Sequence, residues 1–144
     1  MPKTYTYHTT VSWKGAHWGH LICGNGAEMD FSAPPDAHGN PGVMTPEDAF
    51  VAAANTCIMM MFLWACERFK IPLLAYECEA EGTKVIELDR TELFTKVRLH
   101  PKIRVQPCDE TRIRRALQSA QKFSLVANSI KSQVVIEPEI TTES

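Results

Sequence analysis

One apolar run constrains this 144-residue chain more than any other feature. From Ala49 to Cys66, 16 of 18 residues are apolar, and the two exceptions, Asn55 and Thr56, stand directly before Cys57. A helix that is apolar on every side has to be covered on every side. One layer of sheet in a small domain covers only one face of such a helix. The run therefore predicts an intimate homodimer with this helix near its centre.

The start of the run distinguishes a globular helix from a membrane helix. Eighteen residues lie at the lower edge of the length that spans a bilayer. Thr45, however, is a good N-cap, Pro46 suits the first helical position, and Glu47 and Asp48 suit the positive end of the helix dipole. Asp48 also completes a partial capping box with Thr45. We therefore predict a helix over residues 46–69 and no membrane partner.

Composition excludes several classes of protein. The formal net charge is -2 and 22% of the residues are charged, which gives no electrostatic reason to expect a nucleic-acid partner. The five cysteines form no CxxC pair, so neither a disulfide framework nor a zinc site is expected. The first residues show no charged segment followed by an apolar one, as a secretion signal would. We predict a cytoplasmic protein with free thiols, no metal and no cofactor.

Hydrophobic periodicity predicts an α+β class, with one domain over residues 1–144 and the order β-β-β-α-β-β-α-β in antiparallel hairpins. A loop rich in Pro and Gly over 32–42 leads into the long helix. The second helix is capped by Asp109 and runs to Phe123, and a short further helix lies within Ser124–Ile130. The predicted strands cover 4–13, 17–24, 27–32, 73–88, 91–105 and 132–140.

The segment TPEDAFVAAANTC, in which Glu47 precedes Cys57 by ten residues, resembles the central-helix motif of the OsmC/Ohr family. That family groups osmotically inducible proteins with organic hydroperoxide resistance proteins. The order of elements, the approach loop and the length also agree, so the similarity covers essentially the whole chain. The resemblance implies an OsmC-like fold, in which antiparallel sheets pack on a long central helix within an intertwined homodimer.

The resemblance also implies an activity, a thiol peroxidase in which Cys57 reduces an organic hydroperoxide and becomes a sulfenic acid. The family's second motif begins Cys-Pro, but Ser124 and Leu125 stand at those positions, so the resolving cysteine is missing. An external thiol or dithiol would then regenerate Cys57. The family holds its first cysteine as thiolate with an arginine, and His17 falls near that position.

Glu47 would orient the group that activates Cys57. Ten residues of helix separate the two side chains by about 15 Å, so they cannot touch within one helix and would come from different protomers. The resemblance further implies a small, mostly apolar substrate pocket at the dimer interface. Its predicted lining is a set of large apolar residues on the long helix: Phe50, Met60, Met61 and Phe62.

Ordinary structural roles stay open for each of these residues. Cys57 is also a typical small buried hydrophobe, and neighbouring methionines are typical core fillers. Glu47 is explained by the helix dipole alone, and His17 by a position on a strand. Two other functions stay open as well: a non-catalytic OsmC-like protein that binds an apolar ligand or senses oxidants, and a purely structural dimer module.

Overall fold

The structure, a computed structural model, describes residues 2–144. The chain groups into two compact units, one ending at Phe50 and the other running over Val51–Ser144. These are the first and the second unit. The single domain over 1–144 stays a prediction.

The first unit contains a three-stranded antiparallel sheet in the order β1-β2-β3. Its strands are β1, Thr9–Gly15; β2, Trp18–Cys23; and β3, Glu28–Ser32. The meander was predicted, but β1 begins five residues later than expected. Thr9 pairs with Cys23, the last residue of β2, so the strand pairing begins there, and the Gly24 N–H beyond β2 donates to the His8 carbonyl at 2.7 Å. The loop before the long helix contains one short 3₁₀ turn, Pro35–Ala37.

The long helix α1, Pro46–Arg68, begins where the sequence predicts. Thr45 Oγ1 accepts a hydrogen bond from the Asp48 backbone N–H at 3.1 Å, and Asp48 Oδ2 accepts one from the Thr45 N–H at 3.2 Å. These reciprocal bonds confirm the capping box. At the other end Lys70 adopts a left-handed backbone with φ of 54°, and the Ile71 N–H returns to the Cys66 carbonyl. This turn ends the helix.

α1 buries one stripe of residues at spacings of three and four. These are Ala54, Ile58, Phe62, Ala65 and Cys66. By length and composition alone α1 could also cross a membrane. Met60 and Trp64, on another face, remain 42% and 50% exposed in the single chain. The protein's own core therefore covers only one side of this helix, although the helix is apolar on all sides.

The second unit is built on a long antiparallel hairpin, β4, Leu73–Ile86, and β5, Glu92–Val105. Two helices follow, α2, Glu110–Phe123, and α3, Leu125–Ser129. The chain ends with β6, Gln133–Ile136, and β7, Glu139–Thr142. Asp109 Oδ1 accepts from the Thr111 N–H at 3.0 Å, which confirms the predicted cap of α2.

The last predicted strand differs from the structure in two ways. It is divided into β6 and β7 around Glu137 and Pro138, because proline cannot donate a ladder hydrogen bond. Both strands also pair parallel to β5, so the sheet of the second unit is mixed, whereas the family resemblance implied antiparallel sheets. The chain crosses from β5 to β6 through two helices, and a crossover of this kind returns a strand in the same direction.

The core of the second unit joins α1, β5 and α2. Phe62 of α1 is fully buried among Ile103 and Val105 of β5, and its ring lies 5.4 Å from the Tyr76 ring, centroid to centroid. α2 contributes a stripe with helical spacing: Ile113, Ala116, Leu117 and Ala120. This packing holds the middle of α1 and the end of α2 in fixed positions within the unit.

Candidate functional site

Cys57 lies in the interior of α1 with a half-buried thiol. The two polar residues before it have separate structural roles. Asn55 Nδ2 donates to the Cys78 carbonyl at 3.2 Å and so ties α1 to β4. Thr56 Oγ1 donates back to the Ala52 carbonyl at 2.8 Å. Both polar side chains that interrupt the apolar run are therefore hydrogen-bonded to backbone carbonyls, one on β4 and one within α1.

Ser124 is the polar partner of Cys57. Its side chain is completely buried, and its Oγ donates a hydrogen bond to Cys57 Sγ at 3.2 Å. The same Oγ accepts from the Ala127 N–H at 3.1 Å and so caps α3. Ser124 was predicted, from the family resemblance, to occupy the place of a missing resolving cysteine. The structure brings these two residues, 67 positions apart, into direct contact.

The position of Ser124 follows from the elements on either side of it. α2 is anchored by its buried stripe and ends at Phe123, after which Ser124 takes an extended backbone with φ of −69° and ψ of 119°. Gln121 Nε2 donates to the Val134 carbonyl at 2.9 Å and joins the end of α2 to β6. The Ser124 hydroxyl is therefore held by two helices and a strand rather than by a flexible loop.

Two other cysteines of the second unit are poor nucleophiles. Burial raises the pKa of the Cys66 thiol to about 12, with smaller contributions from Cys108 and Glu67. Burial likewise raises the pKa of the Cys78 thiol above its usual value. Because the thiolate is the reactive form, neither thiol is ready to react at neutral pH. All five cysteines are free: Cys23, Cys57, Cys66, Cys78 and Cys108.

His17 and Glu47 both belong to the first unit, whereas Cys57 and Ser124 belong to the second. His17 is exposed in the turn between β1 and β2, and its ring stacks on that of His38 with the centroids 5.9 Å apart. Glu47 lies half-buried in the first turn of α1 and takes part in an interaction there. Their catalytic roles stay predictions.

The predicted pocket residues occupy different environments. Phe62 is fully buried in the core, and Met61 is half-buried against it. Phe50 is half-buried near the start of α1, and Met60 is exposed. Their common role as a pocket stays a prediction, and only Met60 presents an exposed apolar side chain one helical turn from Cys57.

Two apolar residues next to Ser124 in the chain had no predicted role. Phe123 and Leu125 flank Ser124 in the chain and are 55% and 69% exposed. These two residues thus place exposed apolar side chains directly before and after the buried Ser124 in the chain. Their position on either side of Ser124 was the available signal. Among residues 2–144, no three His, Cys, Asp or Glu side chains cluster as metal ligands would.

Comparison with known proteins gives a family and a fold. A sequence model described as OsmC-like protein matches residues 38–139. No curated protein sequence matches the chain. Among solved structures, an OsmC-like protein of unknown function from Vibrio cholerae superposes with a TM-score of 0.86 at 21% identity. That alignment covers 94% of this chain and 100% of the other.

Two further structures carry functional names. An organic hydroperoxide resistance protein from Elizabethkingia anophelis has a TM-score of 0.77 at 19% identity, covering 99% of this chain and 100% of the other. An organic hydroperoxide resistance protein from Legionella pneumophila has a TM-score of 0.72 at 17% identity, covering 98% and 100%. At such identities the likeness establishes the fold alone.

Proposed function

Because the chain belongs to the family of OsmC-like proteins, we propose that it is a thiol peroxidase that reduces organic hydroperoxides through Cys57. One observation supports this proposal above all others, the hydrogen bond of 3.2 Å from the buried Ser124 hydroxyl to the half-buried Cys57 sulfur. A hydrogen-bond donor at that sulfur favours its negatively charged form, and the thiolate is the nucleophile in peroxide chemistry.

The proposed reaction has two stages. The Cys57 thiolate attacks the distal oxygen of the hydroperoxide, the S–O bond forms as the O–O bond breaks, and the alkoxide leaves and takes a proton to become an alcohol. Cys57 is then a sulfenic acid. An external thiol condenses with the sulfenic acid to a mixed disulfide and releases water. A second external thiol then attacks the mixed disulfide, forms a disulfide with the first external thiol and restores the Cys57 thiol. We keep His17 and Glu47 as proposed contributors to activation of Cys57.

Exposed apolar residues near Cys57 and Ser124 in the chain support a preference for organic hydroperoxides over hydrogen peroxide. Met60 lies three residues after Cys57, Phe123 and Leu125 flank Ser124 in the chain, and all three side chains are exposed. Burial of the organic part of a substrate against such groups would stabilise the complex. We therefore expect the purified protein to consume cumene hydroperoxide with a dithiol reductant, and to consume hydrogen peroxide at least about tenfold more slowly, a ratio that corresponds to about 1.4 kcal/mol of binding. Reductant-dependent loss of each peroxide measures both rates. Equal rates would contradict the apolar preference, and absence of turnover would contradict the peroxidase.

We also propose a homodimer. α1 leaves Met60 and Trp64 exposed in the single chain, and exposed apolar patches of this kind mark association surfaces. A second copy would cover them. Light scattering should give twice the chain mass of 16.2 kDa, and Trp64→Glu should shift the protein toward the monomer. Gln118→Glu, on an exposed position of α2, is the matched control. A monomeric wild type would contradict this proposal.

The second candidate function is a non-catalytic protein that senses oxidants or binds an apolar ligand. The observation that favours it is Ser124 itself, because a hydroxyl in contact with Cys57 cannot close a disulfide. Formation of sulfenic acid at Cys57 without turnover would favour a sensor, and absence of both would favour ligand binding.

We propose the cytoplasm as the location of the protein. All five thiols are free, which fits a reducing compartment.

A further inference from the structure

We propose that Ser124 is a catalytic residue whose hydroxyl donates its proton in a hydrogen bond to Cys57 Sγ and so stabilises the thiolate. This inference rests on the proposed function of Cys57. It assigns to Ser124 a part of the chemistry, beyond occupying the position of a missing cysteine. The inference is based on the hydrogen-bond partners and the burial of the Ser124 hydroxyl.

The direction of the hydrogen bond follows from the partners of Ser124 Oγ. A serine hydroxyl has one proton to donate and two lone pairs that accept. The Ala127 N–H at 3.1 Å can only donate, so it occupies a lone pair. The hydroxyl proton is left for Cys57 Sγ at 3.2 Å. The α3 backbone therefore orients the serine, and the serine in turn presents a donor to the sulfur.

Burial strengthens this contact. The Ser124 side chain is 0% exposed, so water does not compete for its proton. A buried hydroxyl without an acceptor is costly, and a hydrogen bond shielded from water is stronger than the same bond in solvent. A donor held in this way stabilises negative charge on Cys57 without any reorganisation when the thiol ionises.

Capping of α3 does not by itself explain a serine here. A cap needs only an acceptor, and Asp109 at the start of α2 fulfils that role with a carboxylate. A carboxylate at position 124 would cap α3 equally well, but it would place negative charge against the sulfur and oppose its ionisation. A hydroxyl is the cap that also donates, and it is the residue in contact with Cys57.

The test measures the reactivity of Cys57 without any peroxide, so it is independent of the proposed turnover. In Ser124→Ala we expect Cys57 to react with iodoacetamide at pH 7 about three- to tenfold more slowly than in the wild type. A hydrogen bond to a charged group changes an equilibrium by about tenfold or more, and the change in intrinsic nucleophilicity of the sulfur offsets part of its loss. Mass spectrometry of the peptide that carries Cys57 gives the rate.

Two further variants separate donation from capping. Ser124→Thr keeps the hydroxyl and should recover most of the rate, while Asp109→Ala removes a helix cap remote from the thiol and should leave the rate unchanged. Thermal melting of each variant confirms that it is folded. The proposal is overturned if Ser124→Ala is alkylated at the wild-type rate, or if Asp109→Ala is slowed to the same extent. Failure of hydroperoxide turnover with the alkylation pattern intact would reject the peroxidase and leave the role of Ser124 standing.

Discussion

Cys57→Ser is expected to reduce hydroperoxide consumption to the uncatalysed background. The proposed chemistry forms a bond between sulfur and the distal peroxide oxygen, and a serine hydroxyl is neither ionised at neutral pH nor able to form a sulfenic acid. The substitution replaces sulfur by oxygen at a half-buried position, so the fold should persist. The assay is the rate of cumene hydroperoxide loss with a dithiol in excess, with circular dichroism to confirm folding.

Cys78→Ser is the matched control for this experiment. Cys78 is half-buried like Cys57 and lies in the same unit, but burial raises the pKa of its thiol and so keeps it protonated. Its loss should leave the rate within about twofold, since Cys78 has no proposed part in catalysis. Turnover that survives in Cys57→Ser and disappears in Cys78→Ser would move the reaction to a different cysteine.

Ser124→Cys is expected to convert a protein that depends on an external thiol into one that resolves its own sulfenic acid. The present O–S distance is 3.2 Å, and a longer C–S bond at position 124 brings the second sulfur toward the 2.05 Å of a disulfide. After one equivalent of hydroperoxide, the Cys57 sulfenic acid and the introduced thiol should condense to a disulfide with release of water. The wild type should instead retain the sulfenic oxygen at Cys57.

Intact-mass spectrometry distinguishes these two products. The variant should lose two hydrogens relative to its reduced form, and the wild type should gain one oxygen. With excess hydroperoxide the wild type should proceed to the sulfinic acid, from which the variant is protected. Ser129→Cys places a thiol on the same short helix at an exposed position, where the serine hydroxyl donates to the Leu125 carbonyl, and should form no such disulfide. A Ser124→Cys protein that stays fully reduced would contradict the geometry of the pair.

Local signals explain the parts of the fold that were predictable. The capping box of Thr45 and Asp48 involves residues three positions apart, and the cap by Asp109 reaches two positions along the chain. Both depend on the local sequence, so both helix starts were predicted correctly. The direction of β6 and β7 depends on the path of the chain through α2 and α3, and local alternation of residues carries no information about it.

The candidate site also combines features that the local sequence predicts with features that only the fold decides. The sequence by itself determined that Cys57 lies on a long apolar helix, that Ser124 follows the second helix, and that no cysteine stands at position 124, because residue type and helical periodicity are local properties. Only the tertiary structure decided that the Ser124 hydroxyl meets the Cys57 sulfur, that Phe62 is core and that Met60 is exposed. The physical reason is that the core of α1, β5 and α2 aligns two helices distant in sequence, and their burial sets which side chains meet and which face solvent.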